Sequence, residues 1–161
     1  MKETRTGYSP FMVMISPRLS APFDLLVFDA ADEPVLAVEV KVQPQLRQDA
    51  EQFLRQRAPE MGIPYGLVVD LEIVRILDLM APSAPPVLEL STAELLTAYA
   101  HGLDAKKVSR QYLLLLVDSW LRNVMQPLAA DPPPALDRLI ELGLAKRLHE
   151  GQAVAEWRGF S

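Results

Sequence analysis

The chain has 161 residues, half of them hydrophobic and 23% charged, with a net charge of −5 and a pI of about 5.0. That balance is globular rather than disordered and allows one ordinary domain with a sizeable core. The absence of cysteine excludes disulfides, thiolate zinc sites and cysteine nucleophiles, and with only His101 and His149 a histidine-rich metal site is not expected.

No apolar h-region follows Met1-Lys2-Glu3-Thr4-Arg5, so no signal peptide is expected. The most apolar run, Tyr112 to Val117, is far short of the roughly 20 residues that span a bilayer. The chain therefore reads as a cytoplasmic protein without membrane partners. Its acidity argues against a broad phosphate-binding surface, although a local basic patch would suffice.

Fourteen prolines punctuate the chain. Phe11-Met12-Val13-Met14-Ile15, closed by Ser16-Pro17, is short and continuously apolar, as in a buried strand. Phe23 to Phe28 forms the next strand. Asp29 to Pro34 has turn chemistry, and Val35 to Val42 returns as a hairpin partner. After Pro44 the period changes. Leu46, Ala50, Phe53, Leu54 and Arg57 follow helical spacing, and Gln45, Gln48, Gln52 and Arg55 share the opposite face. Pro59 and Gly62 end that helix. Tyr65 to Val69 and Ile73 to Leu79 are two further strands around a turn at Asp70-Leu71-Glu72, and Val87 to Leu90 is a short one.

Ser91-Thr92-Ala93-Glu94 has the pattern of a capping box opening a helix to about Ala100. Asp104 is placed to cap a long helix, Ala105 to Met125, with Val108, Tyr112, Leu115, Leu116, Trp120 and Val124 as its apolar positions. A proline-rich linker from Ala129 to Pro134 precedes a short amphipathic helix, Ala135 to Leu142, and a small hairpin about Glu150-Gly151. Residues 1–128 thus read as the main domain and 129–161 as a C-terminal arm that docks on the core or on a second subunit.

The residues that carry chemistry lie on the paired strands. Successive strand side chains point to opposite faces, so Glu39 and Lys41 share one face while Val38, Val40 and Val42 fill the other. Asp24 shares its face with Leu26 and Phe28, a costly place for a carboxylate unless it is paired or binds a cation. Two acids and an ammonium on neighbouring strands make a candidate divalent-metal site.

The order of strand with acid, strand with Glu-x-Lys, helix, strand, strand resembles the PD-(D/E)XK nuclease superfamily, including small bacterial members and the N-terminal nuclease domains of type I restriction subunits. Pro22-Phe23-Asp24 and Glu39-Val40-Lys41 carry the resemblance, which covers about Phe11 to Leu79. It implies an α/β, restriction-endonuclease-like fold: a mixed sheet of about five strands flanked by helices. It also implies hydrolysis of a phosphodiester, with Asp24 and Glu39 holding Mg²⁺ or Mn²⁺ and Lys41 assisting the attacking water. Gln52, or alternatively Gln48, would be an auxiliary polar residue reaching in from the helix. Nucleic acid, DNA ahead of RNA, is the implied partner.

Plainer readings stand beside this one. Glu39 and Lys41 also suit the solvated face of an edge strand. Arg47, Arg55 and Arg57 suit ordinary surface pairing. Trp120 and Trp157 suit packing, and Asp29 suits the turn. The low pI, the apolar long helix and the C-terminal arm support a second class of function. In it the same fold is a catalytically inactive scaffold that self-associates, as a homodimer through helix 105–125 or the arm.

Overall fold

The computed structural model describes residues 22–81, 83–100, 107–126 and 132–155. The expected strand at Phe11–Ile15, the Asp104 cap, His101 and Trp157 lie outside them. The described elements are β1 (Leu25–Phe28), β2 (Pro34–Val40), α1 (Arg47–Arg57), β3 (Tyr65–Val69), β4 (Ile73–Asp78), β5 (Leu88–Ser91), α2 (Thr92–Tyr99), α3 (Arg110–Met125), α4 (Leu136–Glu141), α5 (Leu144–Leu148) and β6 (Gln152–Ala155). They build an α/β protein with one mixed, six-stranded sheet in the order β5-β4-β3-β2-β1-β6.

β1 and β2 are the expected antiparallel hairpin, with Leu25 opposite Val38 and Leu26 opposite Ala37. Its turn is held by Asp29, whose Oδ1 accepts from the amides of Ala31 and Glu33, both at 2.9 Å. β2 and β3 are parallel, with α1 as the crossover between them. β4 and β5 continue the sheet antiparallel on one side, and β6 closes the other side against β1.

Two apolar cores follow from the alternation of side chains across the sheet. The larger unites Leu25, Val38, Val40, Leu67 and Val69 with the buried faces of α2 and α3 and with Leu139, Leu144 and Leu148. The smaller joins Leu26, Phe28, Ala37, Val68 and Leu77 to Ala50 and Leu54 of α1. Small residues let α1 sit low on the sheet. Ala37 and Gly66 are neighbours on β2 and β3, and a Cβ at Gly66 would meet Leu54 Cδ1 at 3.1 Å. Phe53 of α1 meets Phe23 edge-on, with ring centroids 5.8 Å apart, which fixes the chain just before Asp24.

Several boundaries differ from the sequence reading. Ser91 is the last residue of β5, and its side chain caps nothing. Thr92 is the buried anchor instead, its hydroxyl donating to the Asp70 carbonyl at 2.6 Å. α3 begins at Arg110 rather than Ala105, because Ser109 supplies the cap and accepts from the Tyr112 amide at 3.1 Å. Its buried stripe is Leu113, Leu116, Val117, Trp120, Leu121 and Val124. Tyr112 and Leu115, expected inside, are exposed. The residues around Glu150-Gly151 do not pair as a hairpin. α5 precedes them and β6 follows, adding to β1. Trp120 is fully buried and its indole donates to the Pro134 carbonyl at 2.8 Å, so packing is its role.

Candidate functional site

The acid pair forms at the C-terminal end of β2. Leu25 lies opposite Val38, so Asp24 and Glu39 are the next cross-strand neighbours. The Asp24 amide continues the ladder by donating to the Val38 carbonyl at 3.0 Å. That amide also lies 3.2 Å from Glu39 Oε2, and Asp24 Oδ2 accepts from the Val40 amide at 2.8 Å. Each acid is thus positioned by the backbone of the other strand. Lys41 follows on the same face as Glu39, with Nζ 3.7 Å from Glu39 Oε1. Its amide donates to the Val69 carbonyl at 2.9 Å, which holds it in line with the parallel β2–β3 pair. Ligand sites of open α/β sheets form beyond such carboxyl strand ends.

Burial decides the electrostatics. Glu39 is 5% exposed, and its pKa is pushed up from 4.5 to about 7. Loss of hydration is the main cause and the neighbouring Asp24 charge adds to it, while Lys41 and Arg110 pull the other way. A strand glutamate on an ordinary solvated face would show neither the burial nor the shift.

The described structure adds one member that strand alternation does not reveal. Arg110, the first residue of α3, donates through Nη2 to Asp24 Oδ1 across 86 positions of chain. Its side chain is 47% exposed and that of Asp24 is 14% exposed. No local motif signals this contact, since it depends on how α3 lies on the sheet. The four residues Asp24, Glu39, Lys41 and Arg110 are therefore brought together, whereas Gln52 and Gln48 are exposed on α1 and make no hydrogen bond to the pair. The α1 arginines serve elsewhere. Arg47 binds Asp70 at 2.5 Å and Glu72 at 3.2 Å, Arg57 pairs with Glu60 at 3.6 Å, and Arg55 reaches the Ala84 carbonyl at 3.4 Å. His149 is exposed beside Glu150.

Among the described residues, no three His, Asp or Glu side chains converge as a ligand group. The described residues therefore build no zinc-like closed shell of protein ligands. Two adjacent carboxylates, one of them buried, instead offer hard oxygen donors of the type that ions such as Mg²⁺ and Mn²⁺ accept while keeping most of their waters. The residues fit such an ion through Asp24 and Glu39.

Comparison with models of protein families, with curated protein sequences and with solved structures finds no match. The class defined by the coordinates is thus an α/β protein with a six-stranded mixed sheet and an acid–acid–lysine cluster at a strand end. No helix among the described residues is long and apolar enough to cross a membrane.

Proposed function

We propose that this chain is a PD-(D/E)XK-like, Mg²⁺- or Mn²⁺-dependent nuclease domain that hydrolyses phosphodiester bonds of nucleic acid, with DNA as the first substrate to test. The observation that carries the reading is the buried Glu39 set directly across from Asp24 with Lys41 beside it. In this reading Asp24 and Glu39 hold the cation. Such an ion supplies Lewis acidity toward the phosphate and a source of hydroxide near neutral pH. Glu39 must lose its proton to serve, so its elevated pKa links activity to pH. Lys41, 35% exposed, reaches solvent and the substrate side. Its ammonium orients the attacking water or offsets negative charge developing on the phosphate. The test is cleavage of plasmid and single-stranded DNA by the full chain with Mg²⁺ or Mn²⁺. Lys41→Ala should abolish cleavage while leaving the melting profile intact. Equal cleavage by wild type and Lys41→Ala would remove Lys41 from the mechanism.

A second reading, an inactive scaffold that self-associates, has its own support. Leu115 is 61% exposed and borders an apolar groove of about 330 Å³ between α3 and β6, lined also by Leu114, Val154 and Ala155. A monomer in light scattering, unaffected by Leu115→Glu, would contradict it.

A further inference from the structure

We propose that Arg110 is a displaceable counter-cation of the acid pair, competing with the divalent ion for Asp24 and thereby setting the ion concentration at which the site fills. This rests on the metal reading above. Asp24 has one oxygen committed to the Val40 amide and the other to the Arg110 guanidinium. An ion held by Asp24 and Glu39 would need Asp24 lone pairs and would bring two positive charges beside the guanidinium, so the two cations would oppose each other.

Three features mark Arg110 as the partner that yields. The Asp24–Val40 contact is a side-chain bond to a backbone amide that the β2–β3 pairing holds in place, so that donor cannot swing aside. Lys41 approaches Glu39, not Asp24. Arg110 is half exposed, and its side chain can leave while α3 stays capped by Ser109. Its position is also electrostatically odd. A cation in the first turn opposes the helix dipole, and the first turn of α3 holds no acid to balance it. The contact with Asp24, on another element, is what favours an arginine there.

The test is calorimetric titration of Mn²⁺ into the full chain, for wild type, Arg110→Gln, Arg110→Lys and Asp24→Asn, with melting curves to confirm folding. Arg110→Gln should bind Mn²⁺ about tenfold more tightly than wild type, the factor expected when one partly screened ion pair no longer competes. Arg110→Lys, which keeps the charge but loses the planar fork, should fall between them and serves if the glutamine variant does not fold. Asp24→Asn should abolish binding. Wild-type affinity, or weaker, in both Arg110 variants overturns the competition while leaving the metal site standing. Failure of wild type and both Arg110 variants to bind Mn²⁺ at millimolar concentration overturns the metal site, and the competition with it.

Discussion

Glu39→Gln isolates the electrostatic design of the site. The folded protein holds the Glu39 proton to about pH 7 against an ordinary value of 4.5, so between those values the native state binds more protons than the unfolded chain. Stability must then fall as pH rises through that window. The Glu39 contribution is fully favourable below about pH 4.5 and is lost by about pH 7. The displacement corresponds to about 3 kcal/mol, and the 6% exposure of the side chain leaves little screening by water to reduce it. Glutamine keeps the shape of the protonated acid and cannot ionise. Wild type and variant should therefore be nearly equal in stability near pH 4.5, and the variant should be more stable by about 2–3 kcal/mol near pH 8. Urea unfolding at a series of pH values measures the difference directly, because titrations of groups that do not interact with Glu39 cancel between the two. Parallel stability profiles across the window would refute the reasoning, since they would mean that Glu39 ionises without desolvation.

Further outcomes follow from the same geometry. Saturating Mg²⁺ or Mn²⁺ should stabilise wild type near pH 8 by about 1.4 kcal/mol at ten times the dissociation constant, a rise of roughly 3–6 °C in Tm, and should leave Asp24→Asn unmoved in thermal melts. Gly151→Ala should destabilise by about 2–4 kcal/mol in denaturant titrations, because a Cβ there would lie 2.1 Å from the Phe28 carbonyl oxygen, and backbone cannot step aside as a side chain can. Asp70→Ala should cost about 3 kcal/mol or more by the same assay. It removes a fully buried carboxylate that accepts from Arg47 and from the amides of Glu72 and Ile73.

The halves of the molecule differ in how openly the sequence states them. The hairpin, α1, β3 and β4 are legible because each is specified by a local period and closed by proline or turn chemistry. Asp24, Glu39 and Lys41 could be brought together on paper for the same reason, since a two-strand hairpin needs only alternation and a turn to set its register. The C-terminal half is specified non-locally. β6 is four residues long and takes its place only by pairing with β1, far away in sequence. The run Leu113 to Val117 is apolar on every side, so it cannot reveal its own phase, and packing puts Leu115 outside. Ser109 and Asp104 are equally good caps in isolation, and the described helix uses Ser109. Arg110 was beyond reach for a further reason: its partner lies 86 positions away, and nothing in the spacing connects them.

The proposed function depends on Asp24 and Glu39 sharing a cation. Crystals of the full chain soaked in Mn²⁺ near pH 8, where Glu39 is ionised, test this through the anomalous signal of the metal. A single peak coordinated by oxygens of both carboxylates, with the Arg110 guanidinium moved off Asp24, is the predicted result. No anomalous density at the pair, with Arg110 still bound to Asp24, would contradict it.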